Sequence, residues 1–538
     1  MKLIALIHFS VIFVLGFSIF DSGTVKANNP DAYVDRGDTL TLTLDEAVRI
    51  ALSENFNIRE EELAVEMSRH QVTEAWGAVY PQLSGSFEYQ RNVVTANPFA
   101  GAEAGGIFDG LGAIDWLQFN EFQRMQGEDP MPIDEFRERQ VQGYLEAGIT
   151  PPEEADDPFG VDNEFTGAFS FTQTLFNGAA FAAIRGAEQF RQVSRDGLER
   201  ETQVVIDQVR TAFYGALLAE QQVNVLEESV ERTRETVEET RRSVEQGVVS
   251  RFDRESAEVE LVNLETELIE AENQSDLALR NLNMVLGIPV QQPIRLLGQL
   301  EMVELPEIAL MDVDDAYQAA LEMRSDLDQA EGAIELGKIE QDMASAQYYP
   351  TVNAFANFSQ LGRVPGDRTQ VLSSPQDPFT FDTRDLDFFA DNYWNPNFAV
   401  GISLTWNIFD GFQRRAQNQQ AHVQTREAEL QKEQLDEGIR LEVEEAVRNL
   451  RTAERRIESQ ERNIEQAEMN YDFARQRLRE GVGTSLEERQ ASQQLDQSRL
   501  NYLNALHDYL VALSNFELAI GRSVTAVEED MPELFMEP

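Results

Sequence analysis

The sequence contains no cysteine, so no disulfide and no lipidated cysteine is expected. Lysine is almost missing as well. Lys2, Lys26, Lys338 and Lys432 are the only ones, and nearly all positive charge is arginine. Histidine is sparse: beyond the leader there are only His70, His422 and His507, each isolated in a helical stretch. No phosphate-cradling loop, nucleophile elbow or zinc-ligand spacing is present. The expectation is therefore no enzymatic activity, no cofactor and no metal site. Cationic surplus is absent too: 96 Asp and Glu oppose 44 Lys and Arg, for a net charge of -52, which excludes a nucleic-acid partner, whose phosphates need cations. A solvated coiled-coil surface, a salty habitat and a cation-favouring pore each account for this acidity. After the leader no apolar run is long enough for a transmembrane helix. A mature chain that spans a membrane must then do so with strands.

What is present begins with an export signal over residues 1–27. Lys2 supplies the positive start, Leu3 to Phe20 the apolar stretch, and Val25-Lys26-Ala27 the small-x-small cleavage pattern. The remainder repeats itself. Tyr80-Pro81 recurs as Tyr349-Pro350 and Ala47 as Ala316, both pairs 269 residues apart. Leu175-Phe176-Asn177-Gly178 recurs as Ile408-Phe409-Asp410-Gly411, Gly247 as Gly481, and Leu286-Gly287 as Ile520-Gly521. One repeat covers 28–290 and the second 291–524, with a tail at 525–538. Each is a helix, two strands and two very long helices.

The strand stretches alternate with period two. Phe165, Gly167, Phe169 and Phe171 share one face, against Thr166, Ala168, Ser170 and Thr172. Leu83, Gly85, Phe87 and Tyr89 form another such run, and strands are expected near 351–361 and 397–408. The last is the cleanest, with Phe398, Val400, Ile402, Leu404, Trp406 and Ile408 on its apolar side. Apolar-out, polar-in runs of about 10 residues fit a barrel that faces lipid, which makes Phe169, Phe171, Ile402, Leu404 and Trp406 candidate lipid-facing residues. The Gly-, Pro- and Asp-rich insertions 93–164 and 362–396 read as loops outside the membrane, the first with room for short helices.

The helices carry heptads. Val209, Ala216, Val223, Val230, Val237 and Val244 are spaced by seven, as are Val443, Leu450, Ile457, Ile464, Tyr471 and Leu478. These are coiled-coil seams in register in both copies. A single helix leads from Asp45 or Asp314 to each Tyr-Pro, where proline stops it. Each long helix reaches about 100 Å at about 1.5 Å per residue. Gly247 and Gly481 fit left-handed helix ends, and Ser250 and Thr484 or Ser485 fit caps of the return helices.

In this order and spacing, the repeat, the Tyr-Pro junctions, the Leu-Phe-Asn-Gly and Ile-Phe-Asp-Gly corners and the Gly-Val tips resemble the TolC-type outer-membrane efflux family. The resemblance covers nearly the whole mature chain. It implies an α+β membrane protein in which three chains pool four strands each into a twelve-stranded β-barrel, continued by an α-helical coiled-coil barrel in the periplasm. Such a homotrimer is a passive exit duct through the outer membrane of a Gram-negative cell, serving tripartite efflux or type I secretion with a periplasmic adaptor and an inner-membrane pump of RND or ABC type. Trimerisation also answers a physical problem, because four strands leave two edges that lipid does not tolerate. Carried over by position, Gly247, Val248, Gly481 and Val482 are the adaptor-contacting tips. Asp253 and Glu487 are periplasmic gate candidates, with Arg251 and Arg254 as available partners. Glu487 replaces the more usual Asp, and Glu488 and Arg489 stand where apolar residues are common. The rival reading is a surface-anchored coiled-coil stalk without channel activity.

Overall fold

Thr43 opens the first helix by a reciprocal cap: its hydroxyl accepts from the Glu46 amide while the Glu46 carboxylate accepts from Thr43 N–H. The computed structural model, which describes residues 39–94, 105–151, 161–247, 249–305, 307–374 and 377–522, starts this helix, α1, at Leu44 and ends it at Glu54. The leader, Val248 and the tail 525–538 lie outside the described residues. A second helix, α2, runs Phe56–Gly77, so the single helix expected up to Tyr80 is two. The second repeat breaks in the same place, with α7 at Val313–Met323 and α8 at Ser325–Ala346.

The chain then forms β2 (Gln82–Arg91), α3 (Gly105–Gln126), α4 (Ile133–Glu146), β3 (Asn163–Phe176), α5 (Gly178–Glu245) and α6 (Arg251–Leu286). After α8 come β5 (Thr351–Val364), a hairpin of β6 (Thr369–Ser374) and β7 (Asp377–Asp385), β8 (Trp394–Thr405), α9 (Gln413–Arg479) and α10 (Ser485–Ala519). Two short strands, β1 (Leu40–Leu42) and β4 (Ile294–Leu296), pair in parallel. Two compact units divide the chain across the repeats rather than along them. One comprises residues 64–196 and 327–434, and the other 1–63, 197–326 and 435–538.

In the first of these units, four strands form one antiparallel sheet in the order β2-β3-β5-β8. The last strand ends at Thr405 rather than 408, so Trp406 stands just past it. There its indole N–H donates to the Tyr348 carbonyl at 3.1 Å, a bond to the neighbouring chain end that takes the place of the ladder. The second insertion is not a plain loop. Its β6–β7 hairpin packs on the helices of the first insertion through Phe119, Phe136 and Phe379, whose ring centroids lie 5.2–5.6 Å apart. Tyr144 stacks on Phe381 at 3.9 Å. Gly143 lets α4 touch the hairpin backbone, since a Cβ there would sit 1.9 Å from the Phe379 carbonyl oxygen.

Among its described residues the second unit has no strands besides β1 and β4, and its long elements are helices. Its core is the pair of seams: Val209, Ala216, Val230 and Val237, and Val443, Leu450, Ile457 and Tyr471, are all buried. Heptad spacing keeps these positions on one stripe, and burying that stripe stabilises helices that are otherwise polar all round.

Two clasps explain why the leading helices break. Asn55 ends α1, and its side-chain oxygen accepts from the amides of Asn57 (2.8 Å) and Ile58 (3.3 Å), capping α2. Its side-chain NH2 donates to the Val285 carbonyl at 2.7 Å. Gly287, with φ 78°, closes α6 against the same corner, and an added Cβ would lie 2.1 Å from the Glu54 carbonyl oxygen. In the second repeat Arg324 takes the corner. Its guanidinium donates to the Ala519 carbonyl (3.0 Å) and pairs with Asp326 (2.6 Å) and Glu442 (2.7 Å). Gly521, with φ 75°, meets the Met323 carbonyl, where a Cβ would come within 2.5 Å.

Candidate functional site

The sheet's register gathers most of the large apolar positions on one side, with Phe355 the large exception on the other, where its ring lies against Gly401. Phe398, Val400, Ile402 and Leu404 of β8 face Phe358, Ala356, Ala354 and Val352 of β5. Phe358 and Ala356 in turn face Phe169 and Phe171 of β3, which face Gly85 and Leu83 of β2. The other side carries Ser84, Ser170, Asn357 and Ala399 in one row, and the Ser170 hydroxyl donates to Asn357 Oδ1 at 2.7 Å. Phe398, Val400, Ile402 and Leu404 are each more than 60% exposed. Chains in water do not leave such a continuous apolar face bare. Aromatics cluster at both ends of the strands. Tyr89, Phe165, Phe388 and Trp394 gather at one end, with Tyr89 stacked on Phe165 at 4.8 Å. Trp76, Tyr80 and Trp406 stand near the other. Such belts mark the two interfaces of a bilayer. Among the described residues no helix is long and apolar enough to cross a membrane.

In the helical unit the two hairpin tips have the same construction. Gly247 and Gly481 adopt φ 77° and 73°. Ser250 and Thr484 are the caps of α6 and α10, and each accepts from the amide of the acidic residue three positions on, Asp253 and Glu487, at 3.2 Å. Those carboxylates bond back to the cap amides. Asp253 and Glu487 are thus first of all parts of capping boxes. Val482 is exposed, and its amide bonds to the Arg477 carbonyl at 3.0 Å. Arg254 pairs with Glu255 and Glu258 on its own helix rather than with Asp253 or Glu487, and Arg251 is exposed. Glu487 lies 3.6 Å from Arg477.

The cross-links between helices lie deeper. Arg232 of α5 pairs with Asp496 of α10, and the Ser229 hydroxyl donates to the same carboxylate at 2.6 Å. Asp496 is 8% exposed, so removing one partner strands a desolvated charge. Arg475 of α9 reaches Glu235 of α5 at 3.6 Å, and Arg489 of α10 reaches the Asp253 carbonyl at 3.5 Å. Sequence reasoning did not find Arg232, Ser229 or Asp496. It did single out Glu488 as unusual, and that side chain is buried between the helices. Burial pushes its carboxyl above the usual range, with Arg475 and Arg489 pulling the other way.

The sequence matches the outer membrane efflux protein family over residues 157–288 and 316–522, more than half of its length. The chain belongs to that family. Its fold is similar to that of CusC (16% identity, TM-score 0.63, 91% of this chain and 95% of that one). It is also similar to the outer membrane channel CmeC of Campylobacter jejuni (13%, 0.66, 90% and 89%) and to the outer membrane protein VceC of Vibrio cholerae (15%, 0.63, 89% and 96%). No curated protein matches the sequence. An outer-membrane efflux channel built of β-barrel and coiled coil is the class this defines. An adhesive stalk has no use for an apolar sheet face between aromatic belts.

Proposed function

We propose that three copies of the chain close their sheets into one twelve-stranded barrel and form a passive exit duct of a tripartite efflux or type I secretion system. The observation that carries this reading is the four-stranded sheet with one apolar face and two open edges, β2 and β8. Unpaired edges are not viable in lipid, and joining β8 of one copy to β2 of the next removes them. The apolar face then meets lipid and the polar face lines the lumen. The helical hairpins reach into the periplasm, where the tips at Gly247 and Gly481, with Val248 and Val482, meet an adaptor coupled to an inner-membrane pump of RND or ABC type. An adaptor that binds an open arrangement more tightly shifts the tips towards it. Arg232–Asp496, between α5 and α10, is suited to hold the tips together, with Asp253 and Glu487 nearer the end. Acidic side chains along the path favour cations.

Planar-bilayer conductance of the detergent-purified mature trimer tests the duct: discrete, cation-selective steps are expected. Ile402→Arg tests the lipid face. Charge there costs about 2–4 kcal/mol per chain near the bilayer centre, so barrel assembly should fail. A normal trimer yield from that variant would remove the barrel.

A further inference from the structure

Resting on the duct reading, we propose that Glu488 is a further gate residue: its carboxyl keeps the tip packed while it carries its proton and loosens the tip when it ionises. Glu487 points to solvent from the first turn of α10, while Glu488 turns inward and is 5% exposed. It borders a crevice of about 20 Å³, room for a single water, shared with Arg232, Thr236, Leu264 and Asp496. Charged and titratable groups face it from every helix packed there. These are Arg232 and Glu239 on α5, Glu260 on α6, Tyr471 and Arg475 on α9, and Arg489 and Asp496 on α10 itself.

The cations make their contacts elsewhere, although among the described residues Arg232 keeps a buried Nε–H without a partner and all three still attract the carboxylate. Arg232 is held by Asp496 and Glu228, Arg475 by Glu235, and Arg489 by the Asp253 carbonyl. Gln493 takes up Glu260. Among the described residues no side chain donates a hydrogen bond to the Glu488 carboxyl. An ionised Glu488 in this packing has the attraction of nearby arginines but no donated side-chain hydrogen bond against its desolvation, and parting the helices to admit water supplies such bonds. The sign follows. Burial raises the carboxyl's pKa in the packed tip, whereas a hydrated tip returns it to the ordinary value of about 4.3. The packing that the protonated form favours is complete below that ordinary value and is lost as pH rises through the raised one. Each unit of difference is a tenfold change in the packed-to-loosened ratio per chain.

The absence of cysteine makes the test clean. Spin labels on Glu238→Cys and Gln490→Cys, both exposed positions on α5 and α10, report the tip separation in the purified full-length protein by pulsed electron resonance. Between about pH 4 and about pH 8, the longer distance should gain population at the expense of the shorter one. In Glu488→Gln, neutral and nearly isosteric, the short distance should persist throughout. If that variant disturbs the tip, Glu488→Met carries the same expectation. A wild-type distance that ignores pH, or a neutral variant that keeps the wild-type response, overturns the proposal. A pH-dependent distance in a protein that conducts no ions would leave the latch standing and overturn the duct instead.

Discussion

The two clasps solve one geometric problem with different chemistry. In the first repeat an amide does the work: Asn55 caps α2 and reaches the Val285 carbonyl. In the second a guanidinium does it: Arg324, its side chain 3% exposed, holds the Ala519 carbonyl and two carboxylates. Burial lifts the Asp326 carboxyl, but its bond to Arg324 and the charges of Arg200 and Arg324 bring it net below the usual range. What stays constant is the backbone. A glycine at φ near 75° ends the return helix against the carbonyl just before the break. The duplicated unit thus preserves a close approach of main chains, while the side chain that fills the corner has diverged.

The comparison breaks first at the glycines. Alanine at position 287 or 521 meets a left-handed backbone, worth about 1–2 kcal/mol alone, and a carbonyl 2.1 or 2.5 Å from the new Cβ. Each single variant should lose more than about 4 kcal/mol, in the range reserved for a defined steric failure. Guanidinium unfolding of the purified helical protein reads this. A loss at one glycine only would mean that the shared main-chain contact matters in one repeat and is incidental in the other.

Next in size are the corner side chains. Arg324→Ala removes a buried cation and leaves Asp326 and Glu442 short of it, a loss of about 3 kcal/mol after Arg200, 3.7 Å from Asp326, compensates in part. Asn55→Ala removes a cap and one long-range bond, a loss of about 1–2 kcal/mol. Acid should narrow that gap. Asp326, with its carboxyl lowered by Arg324, contributes stability above the ordinary carboxylate range and loses it as pH falls through the lowered value. Equal losses for the two variants at neutral pH would show that the ionic corner is no stronger than the amide one.

Periodic features were legible in the sequence because they are local. Alternation from Phe398 to Leu404 and heptads from Val443 to Leu478 repeat within a few residues, and the structure returns them as strand and buried seam. The clasps were not legible, although Leu286-Gly287 and Ile520-Gly521 stood out as a repeated pair. Asn55 meets Val285 across 230 residues and Arg324 meets Ala519 across 195, and no local pattern reports such a partner. The same holds for Arg232 and Asp496, 264 residues apart, and for Phe379, which finds its core on the helices of the other insertion. Asp253 and Glu487 were visible as acidic positions, yet their capping role follows from Ser250 and Thr484 three residues earlier, a spacing that sequence alone also contained.

The smallest effects test whether the two tips, unlike the clasps, are equivalent. Ser250→Ala and Thr484→Ala each remove a cap worth about 1 kcal/mol. The loss should appear as faster amide hydrogen exchange in the first turn of α6 or α10, with little change in global unfolding, since helix ends open locally. One difference between the neighbourhoods is that Glu487 has Arg477 within 3.6 Å across the turn, at an exposed distance worth only a few tenths of a kcal/mol. Thr484→Ala should therefore fray its tip slightly less than Ser250→Ala frays the other, and high salt should erase the difference. A difference of the opposite sign would mean that the Arg477 contact strains the second tip, and would place the asymmetry between the repeats at their tips as well as at their clasps.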